Sequence, residues 1–203
     1  MKKILCFGDS NVYGFNPSNG QRFSEKARWT GILKTLCKDK FEVIEAGCNN
    51  RTGFKDNPTG FDQTGYKVLP TILSNNLNFV ILAIGINDLQ YSYNTSLDEV
   101  KQGLKNLIEI TKTCAPNAKI IIVSPTAISN DIKKSFFRTL FDTDSIEKSK
   151  NLATIYFECA QDYNCDFIDL NTIAKVSCFD GLHYTEDEHK KIAFAVFEKI
   201  KNF

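Results

Sequence analysis

Apolar and polar positions along this chain follow two alternating patterns. Short, nearly continuous apolar runs fall at Lys3 to Phe7, Phe41 to Glu45, Asn78 to Ile84, Lys119 to Val123 and Asp166 to Asp169. Segments with helical spacing of apolar residues occupy Trp29 to Cys37, Tyr66 to Ser74, Leu97 to Cys114, Asp144 to Asp162 and Glu186 to Lys201. Phe79-Val80-Ile81-Leu82 and Ile120-Ile121-Ile122-Val123 show no polar alternation, which is how strands buried on both faces of a parallel sheet read. Asn94-Thr95-Ser96 offers N-cap chemistry before the third helix, and Thr185 with Glu188 reads as a capping box before the last. The alternation predicts one doubly wound α/β domain over residues 1–203, with a five-stranded parallel sheet and right-handed crossovers.

In such a sheet ligands bind beyond the carboxyl ends of the strands. Gly8-Asp9-Ser10-Asn11 follows the first strand, Ala46-Gly47-Cys48-Asn49-Asn50-Arg51-Thr52 the second and Gly85-Ile86-Asn87-Asp88 the third; Asp180-Gly181-Leu182-His183 follows the last. These loops hold a hydroxyl, glycines, an amide, a carboxylate and an imidazole, the set that acyl transfer requires. A serine hydroxyl is a weak nucleophile until a base takes its proton, and histidine suits that role near neutral pH. A carboxylate on the other ring nitrogen fixes the tautomer, and Asp180 lies three residues before His183. The N–H groups of Ser10 and Gly47 and the Asn87 amide are candidate donors to a tetrahedral oxyanion.

Each residue alone has a plainer reading. Ser10 fits a helix N-cap, Gly47 a turn glycine, Asn87 and Asp88 a turn or cap, and Asp9 a loop held by side-chain to backbone hydrogen bonds. Trp29 reads as core or interface, Cys48 as packing, and His189 on the final helix as a solvated surface residue. Arg51 either touches substrate or forms a salt bridge within its loop. It is the four loops in order that favour catalysis.

Composition narrows the partner. Lysine and arginine number 25 against 24 acidic residues, so no long-range field attracts nucleic acid or an anionic membrane. The seven cysteines form no C-x-x-C pair, which suits reduced, mostly buried thiols rather than a disulfide framework or a zinc site. The apolar run after Met1-Lys2-Lys3 stops at Gly8, too early for a secretion signal, and no stretch approaches the ~18 residues of a membrane span. A cytoplasmic protein acting on a small molecule is expected. Neither G-x-x-x-x-G-K-[ST] nor G-x-G-x-x-G occurs, and G-x-S-x-G is absent too.

Gly8-Asp9-Ser10, Gly47, Gly85-Ile86-Asn87-Asp88 and Asp180-Gly181-Leu182-His183 resemble, in order and spacing, the four blocks of the SGNH (GDSL-type) hydrolases. Ile4 to Asn11, Arg28-Trp29-Thr30-Gly31, Phe41 to Glu45, Asn50-Arg51-Thr52 and Asp180 to Thr185 look like its arylesterase/acyltransferase branch. The resemblance implies a flavodoxin-like three-layer α/β/α sandwich. It implies Ser10 as nucleophile, Asp180 and His183 as its triad partners, and Ser10, Gly47 and Asn87 as the oxyanion hole. Ester hydrolysis without metal or cofactor follows, in a family whose members are often homo-oligomers. Some relatives pass the acyl group to alcohols or peroxide. This chain departs at Val12-Tyr13, where that branch commonly has Thr-Trp, so hydrolysis is the primary expectation and acyl transfer the secondary one. Asn11 and Tyr13 are expected to line the substrate pocket with Arg51. Alternatives on the same triad are a carbohydrate O-deacetylase, a thioesterase or a lysophospholipase; a non-catalytic binding protein is the alternative of another class. The segment from Ser124 to Phe141, with Phe136-Phe137 and Leu140-Phe141, is expected to form a specificity loop, an apolar wall or an oligomer contact.

Overall fold

Burial of aliphatic side chains on both faces of a sheet organises the chain. The computed structural model describes residues 1–202; Phe203, the end of the expected 1–203 unit, lies outside them. Strands β1 (Lys2–Gly8), β2 (Phe41–Gly47), β3 (Phe79–Ala83), β4 (Lys119–Ser124) and β5 (Asp166–Asp169) form one parallel sheet in the order β2-β1-β3-β4-β5. That order is the flavodoxin-like winding, whose topological switch point lies between β1 and β3. Helices are α1 (Ser10–Tyr13), α2 (Trp29–Leu36), α3 (Gly65–Ile72), α4 (Leu97–Cys114), α5 (Thr143–Ser149), α6 (Leu152–Asp162) and α7 (Glu186–Ile200). Successive strand residues point to opposite layers. Leu5, Phe7, Val80, Leu82 and Ile122 pack with Leu104 and Leu107 of α4 and Tyr156 of α6. Ile4, Cys6, Ile81, Ile121 and Val123 pack with Trp29 and Leu33 of α2 and with Ile192 and Val196 of α7.

The helical pattern over 144–162 is two helices. At their junction Lys150 N–H turns to the Glu147 carbonyl and Asn151 N–H to the Lys148 carbonyl, while the Asn151 amide also donates to the Glu147 carbonyl. These shorter i→i+3 bonds tighten the turn and end α5. Capping also divides. Ser96 and Glu99 form the reciprocal capping box of α4. Thr185 stands at the N-cap of α7 without a side-chain bond to it, and Glu188 instead accepts from Lys175 N–H and from the Lys191 ammonium. All seven cysteines are unpaired, Cys6, Cys37 and Cys159 being buried and Cys178 exposed. Trp29 is core, its indole N–H donating to the Asn11 carbonyl at 3.0 Å. Among the described residues no helix is long and apolar enough to cross a membrane.

His189 corrects the sequence reading. Its position on α7 faces α2, and the residue is fully buried, edge-to-face with Phe23 and Tyr184. Nδ1 accepts from the Trp29 N–H at 3.3 Å, so the proton is on Nε2. Burial, and then the nearby His183, hold its pKa down to about 3. Below the unfolded value of about 6.5 the unfolded chain binds a proton that the native state refuses, so stability falls as pH drops from there toward 3. Replacing His189 by Gln keeps an acceptor for Trp29 and removes the titration. Between pH 7 and pH 5 the wild-type chain is expected to lose about 2 kcal/mol of unfolding free energy more than His189→Gln does; a pH-independent difference in denaturant melts would refute this.

Candidate active site

The position of Ser10, the expected nucleophile, follows from a division of labour in the first turn after β1. Asp9, in extended conformation, caps α1 by accepting the Asn11 N–H at 2.9 Å. Ser10, the first residue of the helix, is therefore free of the capping task, and its Oγ lies 2.8 Å from His183 Nε2. Burial drives the Asp9 carboxyl up to about 7, the Asn11 N–H and the Arg51 charge drawing it back only in part.

Asp180 shapes the turn that carries the base. One carboxylate oxygen accepts the N–H groups of Leu182 and His183, each at 3.0 Å; the other lies 2.7 Å from His183 Nδ1. Gly181 permits that turn at φ +71°, and a Cβ there would stand 2.4 Å from the Ile132 nitrogen. Burial would raise the Asp180 pKa, but the bond and charge of His183 and the two N–H donors outweigh it and hold the carboxyl below its usual range. The carboxylate is thus kept ionised, and the tautomer with Nδ1–H is the one it selects. Phe15 and Phe137 flank the imidazole, with ring centroids 4.3 and 5.0 Å away. Ser10, Asp180, His183 and Asn87 are each at most 5% exposed, so the chain of hydrogen bonds runs in a low dielectric.

The three expected oxyanion donors come from neighbouring loops. Register pairs Gly8 with Gly47 on one side and with Ala83 on the other. Gly47 presses on α1 so closely that a Cβ would lie 2.1 Å from the Tyr13 nitrogen. The Ser10 N–H, at the first position of α1, has no intrahelical acceptor. Asn87 Nδ2 donates to the Arg51 carbonyl at 3.1 Å, which leaves its second hydrogen unassigned to that bond.

The other expected contacts are differently employed. Arg51 is buried: its guanidinium donates to the carbonyls of Gly8, Ala46 and Asp62 and lies 4.8 Å over the Phe7 ring. Carbonyls of the strand ends occupy it in place of a substrate or a loop salt bridge. Asn11 turns inward, its Nδ2 toward the Leu182 carbonyl at 3.5 Å. Tyr13 is half-buried beneath the Arg22 guanidinium, 4.7 Å from its ring centre. Asp88, read as a turn or cap, instead accepts the N–H groups of Gly53, Phe54 and Lys55 at 2.6–2.8 Å and so pins the loop after β2 to the loop after β3. Its burial still raises its pKa to about 6. The segment after β4 reaches the base: Ser129 N–H donates to the Gly181 carbonyl and Ser135 Oγ to the Asp180 carbonyl. Phe136 is 76% exposed, whereas Phe141 is core. Phe15 carried no signal in the sequence; Phe137 stood in the aromatic pair Phe136-Phe137, which does not by itself point to His183. Among the described residues no three His, Cys, Asp or Glu side chains gather as a metal-binding group.

The sequence matches the GDSL-like lipase/acylhydrolase family over residues 6–191. Among solved structures, the native aryl esterase of M. smegmatis is 29% identical, with a TM-score of 0.90 over 100% of this chain and 99% of its own. A carbohydrate acetylesterase from Sinorhizobium meliloti is 26% identical, with a TM-score of 0.93 over 100% and 99%. The lipase/acylhydrolase of Enterococcus faecalis, at 18% identity and a TM-score of 0.69 over 100% and 96%, shares the fold. No curated protein matches the chain.

In the expected triad Asp180 both selects the tautomer and stabilises the charge on His183, so Asp180→Asn is expected to lower kcat by ~10³–10⁴ in ester hydrolysis while circular dichroism stays native. An unchanged kcat would show that the carboxylate serves the turn alone.

Proposed function

The chain belongs to the GDSL-like lipase/acylhydrolase family and is a carboxylic ester hydrolase of the SGNH type; on that premise we propose that it hydrolyses small esters through an acyl-enzyme on Ser10. The observation that carries this reading is the buried relay from Ser10 Oγ through His183 to Asp180, with links of 2.8 and 2.7 Å.

In the first step His183 Nε2 takes the Ser10 proton as Oγ attacks the ester carbonyl. The C–O bond to the alcohol remains while the carbonyl oxygen becomes an oxyanion, received by the Ser10 and Gly47 N–H groups and the Asn87 amide. Collapse re-forms the carbonyl and expels the alcohol, which receives the proton from the imidazolium. Water then repeats the sequence: His183 takes its proton, the oxygen attacks the acyl carbon, and Ser10 leaves with the proton returned. Each oxyanion donor contributes ~10²–10³ in kcat in a preorganised site of this kind. An alcohol entering in place of water would give acyl transfer by the same steps. Phe15 and Phe137 keep water off the sides of the imidazole, which strengthens its interaction with Asp180.

A carbohydrate O-acetyl substrate is the second reading, favoured by the likeness to the Sinorhizobium meliloti acetylesterase. Both readings call for a short acyl group. Two measurements check them. A fluorophosphonate probe is expected to label the wild-type chain and to leave Ser10→Ala unlabelled; equal labelling would sink the serine mechanism. Across nitrophenyl esters of rising chain length, kcat/KM is expected to peak at acetate or propionate, and a peak at long chains would move the assignment to a lipase.

A further inference from the structure

Gln90 lies just beyond the Asn87-Asp88 pair, is 4% exposed, and belongs to neither the triad nor the oxyanion donors. Its Nε2 is 2.8 Å from Asn50 Oδ1 and 3.3 Å from Asn87 Oδ1. The orientation that Asn87 takes can be read from its other end, because a peptide carbonyl can only accept: the Arg51 carbonyl at 3.1 Å must face Nδ2. Asn87 Oδ1 therefore faces the Gln90 amide nitrogen. Asn50 is itself held in the left-handed region, at φ 59°, and its own carbonyl accepts from Asn57 Nδ2 at 2.7 Å. An Asn kept in that conformation signals that the surroundings determine it. A bridge of amides thus runs from the loop after β3, which carries Asn87, to the loop after β2, the strand that ends at Gly47.

We infer that Gln90 is a positioning residue for the oxyanion hole: by donating to Asn87 Oδ1 and Asn50 Oδ1 together it holds the Asn87 amide with Nδ2 toward the reacting oxygen. This rests on the serine-esterase reading. The alternative orientation of Asn87 would place Oδ1 against the Arg51 carbonyl and present an acceptor to the oxyanion. Gln90 opposes it from the other end, since only an oxygen satisfies Nε2 there. The binding of substrate does not draw on this bond, whereas stabilisation of the oxyanion does; its loss belongs in kcat and not in KM.

The test uses Gln90→Glu, Gln90→Met and Asn87→Ala, with hydrolysis of nitrophenyl acetate followed from pH 5 to pH 8. In Gln90→Glu the ionised carboxylate has no donor and faces two amide oxygens, so Asn87 turns over; kcat is expected to fall ~10²-fold with KM within about twofold, near the loss of the donor itself. As the pH falls and that carboxylate takes up a proton, its O–H becomes a donor again, and the ratio of Gln90→Glu to wild-type kcat is expected to rise. Gln90→Met, which keeps volume and cannot donate, is expected to lose ~10-fold at every pH. In the Asn87→Ala background, Gln90→Glu is expected to cost less than about twofold more, because the interaction it disturbs is already gone. A pH-independent ratio, a full additional loss in the Asn87→Ala background, or a loss confined to KM would each overturn the assignment. If Gln90→Glu does not fold, an unchanged kcat in Gln90→Met overturns it equally. Absence of Ser10-dependent hydrolysis in the wild-type chain would instead refute the serine-esterase reading, and this assignment with it.

Discussion

The pairing of β1 with strands on both sides is the constraint on which the site depends. Gly8 stands opposite Gly47 on one flank and Ala83 on the other, so three strands end at one level. The Ser10 turn, the loop after Gly47 and the Asn87 loop leave the sheet side by side because of that register. A shift of one residue in either pairing would turn every core side chain to the wrong layer, and the burial of Ile4, Leu5, Cys6 and Phe7 on alternate faces opposes it. Packing spread over the whole sheet therefore sets which residues meet at its edge.

Carboxylates turn that placement into geometry. Asp9, Asp88 and Asp180 are each nearly inaccessible, and each accepts backbone N–H groups from a turn that would otherwise have nothing to hold it. A buried charge without partners is among the costliest things a fold can contain. Here the cost is offset by donors that the loops must supply in one conformation only, so each carboxylate selects that conformation. Asp180 differs from the other two in spending its second oxygen on an imidazole, and the opposed effects of burial and His183 leave it alone of the three with a lowered pKa.

Most of the fold was legible because it rests on local rules. Buried runs such as Ile120-Ile121-Ile122-Val123 can be little other than central strands, and Asn94-Thr95-Ser96 announces a helix start in its own chemistry, Ser96 serving as the cap. The residues gathered at the site were legible from their place on the chain: Ser10 and Asn87 follow strand ends, Gly47 closes a strand, and Asp180 and His183 lie in the loop before the last helix. What failed was decided by distant partners. His189 has polar neighbours in sequence, but its position on α7 faces α2, and no local pattern in a helix beginning Glu186-Asp187-Glu188 reveals that. Thr185 and Glu188 spell a capping box, but the N–H of Lys175, from the preceding loop, takes the glutamate. Arg51 offered a charge, and the carbonyls that claim it belong to two strand ends. Phe15 reaches His183 across most of the chain's length, which a sequence window cannot see.

The segment between β4 and α5 joins these levels. It touches the base loop through Ser129, Ser135 and Phe137. It touches the Asn87 loop as well, where the Leu140 carbonyl accepts the Tyr91 N–H, and α5, which follows it, adds Ser145 Oγ donating to the Leu89 carbonyl at 2.6 Å. The Ser10–His183 pair and the Asn87 amide leave the sheet on different elements, β1 with the loop before α7 for the one and β3 for the other, and this segment touches both. A loop of that kind cannot vary freely for substrate fit. Exposed Phe136 is open to change, while its neighbour Phe137 is committed to the imidazole face. Exposure and commitment therefore alternate along this segment: Phe136 faces solvent, while Ser135 and Phe137 on either side of it tie the segment to the Asp180–His183 turn.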